Sequence, residues 1–86
     1  MPEISRFFGI VITMYHNDHG LPHFHARYGE HKAKILVENS AVVEGALPRR
    51  ALGLVEEWRV KHQSELLVVW KQIMDRQPHA KIEPLE

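Results

Sequence analysis

The dipeptide Gly29-Glu30 constrains this chain more than any other feature, because only those two residues separate two alternating segments. A two-residue loop with glycine first favours a type II′ hairpin turn, and such a turn fixes the register of the strands it joins. Counting outward, Tyr28 pairs with His31, Arg27 with Lys32, Ala26 with Ala33, His25 with Lys34 and Phe24 with Ile35. Successive side chains on a strand point to opposite faces. Phe24, Ala26, Ala33 and Ile35 therefore share one face, which is expected to be the core. His23, His25, Arg27, Lys32 and Lys34 share the other, so one side of the hairpin presents two histidines and three permanent cations.

The segments around this hairpin extend it into a sheet and then leave it. Phe7 to Tyr15, rich in β-branched and aromatic residues, reads as a first strand. Phe8, Ile10, Ile12 and Met14 fall on one face of it, and Phe7, Val11 and Tyr15 fall on the other with Gly9 and Thr13. Both faces are largely apolar, as in a covered central strand. Asn17 to Pro22 is a loop of turn formers, His31 to Val37 is the returning strand, and Ala41 to Glu44 is a short fourth one. Patterning changes at Leu47-Pro48. Pro48 suits the first helical position, and Ala51, Leu52, Val55 and Trp58 recur at helical spacing. A break is expected near His62-Gln63-Ser64, with Ser64 capping a second helix whose apolar stripe is Leu66, Leu67, Trp70, Ile73 and Met74. Gln77-Pro78 ends it, and Lys81 to Pro84 could add a short edge strand.

The expected fold is α+β: an antiparallel sheet of three to four strands, followed by two C-terminal helices packed on one face. Eighty-six residues allow one domain, read as a β-rich part over 1–46, a helical part over 47–77 and a tail over 78–86. Trp58 and Trp70 are expected as core anchors, and Glu56-Glu57 as a solvated face. Arg49-Arg50 sit in a first helical turn, where cations oppose the helix dipole.

Composition narrows the function. There is no cysteine, which excludes disulfides, thiolate chemistry and Cys-type zinc sites. The longest apolar runs fall well short of the about 20 residues a membrane helix needs, and the N-terminus carries an acid rather than a signal peptide. The expected compartment is cytoplasmic. With 11 basic and 11 acidic residues, the chain as a whole is no magnet for polyanions. Seven histidines are many for this length, and five of them fall between positions 16 and 31, so the charge of that segment should depend on pH.

Four readings of the histidine segment follow. As a metal site, His23 and His25 would share an ion, with His19 or Asp18 as a third ligand, for zinc or another divalent metal. Lys34 opposite His25 would repel a dication, so no cofactor is expected and any bound metal should be weak. As an anion site, the face would hold phosphate groups, including a nucleic-acid backbone, with Tyr15, Phe7 or Tyr28 as stacking surface. As a catalytic site, His23 and His25 would divide general-base and general-acid roles in phosphodiester cleavage. Histidine-triad hydrolases carry His-x-His-x-His on a strand, whereas Arg27 stands at the third position here. The plainest reading is a solvated sheet face without a role.

Several stretches together resemble a known family. Pro2 to Ile10 opens the chain, Pro22-His23-Phe24-His25-Ala26 and Tyr28-Gly29-Glu30 follow, then Leu47 to Leu52, and Lys81 to Glu86 closes it. These look like the bacterial family DUF4160 over nearly the whole chain. Leu21 departs from that pattern, in which a second proline precedes Pro22. The resemblance implies no activity, cofactor or catalytic residue. It does imply a protein partner encoded by a neighbouring gene, in an arrangement similar to toxin–antitoxin pairs, with nucleic-acid contact as an extension. The expectation is therefore a non-enzymatic binding and regulatory module. The alternative is a small phosphodiester hydrolase using His23 and His25, metal-free or metal-assisted. Nothing suggests a membrane partner, and a homo-oligomer stays open.

Overall fold

The Gly29-Glu30 turn closes the hairpin in the register its length dictates, with His25 opposite Lys34 and Phe24 opposite Ile35. The computed structural model describes residues 3–15 and 20–85. The strands are β1 (Glu3–Phe7), β2 (Ile10–Thr13), β3 (His23–Tyr28), β4 (His31–Leu36) and β5 (Val42–Gly45). One helix, α1 (Arg49–Met74), follows. All strand pairs are antiparallel, and spatial order equals chain order.

The sheet has five strands rather than three or four, because the segment expected as a first strand begins with a turn, and Glu3–Phe7 ahead of that turn forms a strand of its own. Phe8 and Gly9 both adopt left-handed backbone, with φ of 49° and 80°, and Phe7 pairs with Ile10 across them. Two consecutive positive φ angles are what a type I′ turn requires, and its usual signature is Asn-Gly or Asp-Gly. Phenylalanine at the first position hides that signature and costs about 1–2 kcal/mol of backbone strain. Burial offsets it: Ile10 is fully buried, and the Phe7 ring lies 5.3 Å from that of Trp58. The turn resets the alternation, so Phe7 joins Ile10, Ile12 and Met14 in the core, while Phe8 leaves them and is 58% exposed in the turn. β2 is interior in the sheet, and all four of its residues are buried.

The helical half is also simpler than its pattern suggests. α1 spans Arg49 to Met74 as one helix with a kink, and Ser64 lies inside it rather than capping a second helix. The expected break survives as a kink: His62 alone has non-helical angles, φ −121° and ψ 22°. Its Nδ1 lies 2.7 Å from the Glu65 carboxylate and its ring 5.7 Å from that of Trp58, so contacts on both sides hold the bend. Pro48 is the N-terminal capping residue, one position before the first helical one, and no side chain caps that end. Leu66, Trp70 and Ile73 face the core as expected, but Leu67 is exposed. Leu67 lies about 60° round the helix beyond Trp70, outside the buried stripe formed by Leu66, Val69, Trp70 and Ile73, and so turns to solvent. The tail is no edge strand. Ile82 donates one backbone hydrogen bond to the Ile4 carbonyl (2.8 Å), and the Trp58 indole N–H donates to the Glu83 carbonyl (2.9 Å). Ile82 and Leu85 are buried there. Among the described residues, no helix is long and apolar enough to cross a membrane.

A buried arginine ties α1 to the end of β4. Arg59 is 6% exposed and donates to the Val37 carbonyl (2.7 Å). Its other guanidinium nitrogens bind both carboxylate oxygens of Glu56, at 3.0 and 2.8 Å. That hydrogen-bonded pairing, joined by the Ser40 side chain, holds the Glu56 carboxyl below its ordinary range against the opposing effect of burial. A carboxylate with a depressed native pKa contributes stability above its unfolded value, and the contribution is lost as pH falls through the native one. Unfolding by urea should therefore become easier as pH drops below about 4, and Glu56→Gln should both lower stability at neutral pH and flatten that acid limb. A second test concerns Gly45, where φ is 75° and a Cβ would collide with the Lys32 carbonyl oxygen. Gly45→Ala should cost about 1–3 kcal/mol in the same measurement.

Candidate functional site

The sheet has an inner face under α1 and an outer face that carries the charged residues of the hairpin. On the outer face, β3 and β4 place His25 opposite Lys34 and Arg27 opposite Lys32. Arg27 and Lys32 are exposed, and His25 and Lys34 are half-buried. Arg27 stands across from Val11, and Val11 across from Arg6, so an apolar residue is flanked by two arginines. Long cationic side chains commonly lay their stems on such a residue and keep the charge in water, and Val11 is only 9% exposed.

Two acids that the hairpin pattern does not reveal share this face. Glu44 on β5 pairs with Lys34 in the register, and its carboxylate lies 3.6 Å from Lys34 Nζ. Glu3 on β1 accepts a 2.8 Å bond from Arg6 and lies 3.8 Å from Lys81 Nζ. The Arg6 hydrogen bond holds the Glu3 carboxyl below its ordinary range, and the charges of Arg6, Lys81 and Arg27 add to that. Arg6 is correspondingly raised, chiefly by the same bond. Arg27 and Lys32, which share no salt bridge with an acid among the described residues, lie directly opposite each other near the turn end of the hairpin. Beside them, His25, Lys32, Lys34 and Glu44 line a shallow hollow floored by Ala33 and Gly45.

His23 is not on the surface. Strand alternation sets its ring beside that of His25, yet it is only 3% exposed. Its Nδ1–H donates to the Leu21 carbonyl (2.9 Å), since a carbonyl can only accept. The ring stacks at a tilt on Trp70, with centroids 4.9 Å apart, and meets His25 edge-on at 5.5 Å. His25 in turn meets Tyr15 edge-on at 5.0 Å. The row Trp70–His23–His25–Tyr15 is an aromatic cluster in which His23 is packing and His25 is the accessible member. Trp70 on α1 lies 47 residues along the chain from His23, so no local pattern could report the contact.

The remaining expectations divide in the same way. His16, Asp18 and His19 lie outside the described residues. Among the described residues, no group of three or more His, Cys, Asp or Glu side chains is placed to hold a metal ion. Phe7 is buried against Trp58 and presents no stacking surface, whereas Tyr28 is 40% exposed. Arg49 and Arg50 are exposed at the start of α1 and stand apart from this face. The site can therefore hold an anion between fixed positive charges, with one imidazole within reach.

The family model described as "Domain of unknown function (DUF4160)" matches residues 9–71, a span from β2 to the last turn of α1. No curated protein and no solved structure matches the chain.

The contrast between the two histidines is measurable. His23→Ala removes a buried ring from between Trp70 and His25 and should lower stability by about 1–3 kcal/mol in urea unfolding. His25→Ala should cost less than half of that, because its ring is partly in water. Equal costs would mean that the two imidazoles share one environment.

Proposed function

This protein belongs to the DUF4160 family, and we propose that it is a binding and regulatory module that grips an anionic partner with the outer face of β3 and β4. The observation that carries this reading is the placement of Arg27 and Lys32 side by side and exposed, flanked by Lys34 and His25. Positive charge held on a rigid sheet attracts an anionic partner at long range and fixes its orientation on contact. The partner would be the small protein encoded beside this one, in a toxin–antitoxin-like pair, or a nucleic-acid backbone in the complex of the two. A cytoplasmic, bacterial setting accords with such a pair.

The hydrolase reading needs two imidazoles at the substrate, one to take a proton and one to give it. With the His23 ring beneath Trp70, only His25 reaches the surface. This favours binding over catalysis.

Two probes test the proposal: a labelled single-stranded RNA, and the purified product of the neighbouring gene. Binding of at least one should weaken tenfold or more with Lys32→Glu or Arg27→Glu, each of which reverses a charge of this exposed pair. Lys34→Glu should weaken it less, because Glu44 already offsets that charge. Raising salt from about 0.05 to about 0.5 M should weaken it as well. Arg76→Glu, beyond the end of α1, should change little. Affinity that ignores the Lys32 and Arg27 reversals would rule this face out, and cleavage of the RNA abolished by His25→Ala would restore the hydrolase.

A further inference from the structure

Two exposed aromatic residues stand together at the end of the sheet that carries the β1–β2 and β3–β4 turns. Phe8 is 58% exposed and holds left-handed backbone, with φ of 49°. The turn needs that backbone, but asparagine or glycine supplies it with far less strain and without a large apolar ring in water. A residue that is both strained and exposed points to a contact outside the chain. Tyr28, 40% exposed, ends β3, and its ring lies against the same turn: a Cβ added at Gly9 would sit 3.4 Å from Tyr28 Cε1.

The charges beside these rings are arranged in a row. Arg6 stands across from Val11, Val11 from Arg27 and Arg27 from Lys32, one residue from each of four adjacent strands. Arg6, Arg27 and Lys32 are all exposed. At roughly 4.8 Å between strands, the row spans about 14 Å, room for two or more phosphates of one strand. Arg6 bonds Glu3 through one nitrogen, and a guanidinium has five N–H donors, so it keeps donors for a phosphate. The row behind it, Glu3, Thr13, His25, Lys34 and Glu44, begins and ends in an acid. Positive charge is thus concentrated toward the turn end, next to Phe8 and Tyr28.

A negative charge and a flat π-face, repeated along a chain, are the chemistry of a nucleotide strand. Proteins that bind single strands combine cations that track the backbone with exposed rings that stack the bases. Bases in a duplex are already stacked on one another, so exposed rings favour a single strand. An anionic membrane fits less well. It would meet the end of the sheet head-on, where Glu30 is exposed in the adjoining turn, and the Phe8 ring alone would enter its apolar layer. We propose that the turn end of the outer face binds single-stranded nucleic acid, with phosphates along Arg6, Arg27 and Lys32 and bases stacked on Phe8 and Tyr28. This rests on the anion-gripping reading of the face and names its partner. Alternation turns Tyr28 away from the cations, so the strand follows the row and then passes over the end of the sheet to reach it.

The test is fluorescence anisotropy with a labelled single-stranded RNA of about twelve nucleotides. The single strand should bind at least tenfold more tightly than the same RNA annealed to its complement, and inorganic polyphosphate should compete poorly. Phe8→Asn is the decisive variant, because Asn-Gly relaxes the turn. It should raise the urea midpoint and yet weaken RNA binding about tenfold. Tyr28→Ser should weaken binding as well, and Arg6→Gln should lower the slope of log affinity against log salt by about one. Duplex or polyphosphate bound as tightly as the single strand overturns the proposal, as does an unchanged affinity in Phe8→Asn. So does binding of Phe8, without RNA binding, to vesicles of phosphatidylserine and phosphatidylcholine, or binding of the neighbouring gene's product alone. If that product alone binds, and loses affinity with Lys32→Glu, the anionic-partner reading of the face stands while this proposal falls. RNA binding that ignores Lys32→Glu and Arg27→Glu sinks both.

Discussion

Trp58 holds the fold together. Its side chain is fully buried, and it meets elements that are far apart in the chain. The ring packs on Phe7 from β1 and edge-on against Phe24 from β3, at 5.3 and 5.9 Å. It lies 5.7 Å from His62, at the kink in its own helix, and its N–H reaches the Glu83 carbonyl in the tail. Sheet, helix and C-terminal segment thus share one side chain. An indole suits that position because it supplies a large apolar body and a single donor that must be satisfied when buried. The strained Phe8-Gly9 turn follows from this arrangement, since it is what brings Phe7 to the tryptophan.

Arg59 does for the polar part of the inner layer what its neighbour Trp58 does for the apolar part. A buried guanidinium is tolerable only if its donors are used, and here they take up both Glu56 oxygens and the Val37 carbonyl. That anchors the end of β4 to the helix. Gln63 adds a bond to the Glu38 carbonyl in the same turn (3.2 Å). With one face of the sheet fixed in this way, the other is free to be polar, and it is there that the cations of the hairpin collect. The outer face is a consequence of a two-layer fold whose single helix can cover only one side.

How legible this was can be argued residue by residue. The β3–β4 hairpin could be read in full, because a two-residue turn and strict alternation are local and carry their own register. The β1–β2 hairpin could not, because Phe8 occupies a backbone conformation that phenylalanine rarely adopts, and Gly9 alone did not outweigh a continuous apolar run. The bend in α1 was visible in the polar stretch His62-Gln63-Ser64. The two helical stretches on either side of it form one kinked helix, with His62 alone outside helical geometry. In the outer face, the three fixed cations and two histidines were legible, but the two acidic neighbours of those cations were not. Glu44 reaches Lys34 across a turn and a register shift that no simple count would cross.

By itself the sequence determined direction. Alternation and turn length decide which side chains point to which face, because both act over a few bonds. Only the tertiary structure decided environment. His23 and His25 point the same way, yet one is buried and the other accessible, because Trp70 arrives from α1 over the first and not the second. Leu66 and Leu67 are equally apolar neighbours, yet the first is fully buried and the second 44% exposed. Burial and charge pairing depend on which distant element comes to rest on a residue, and that is settled when the layers pack, not along the strand.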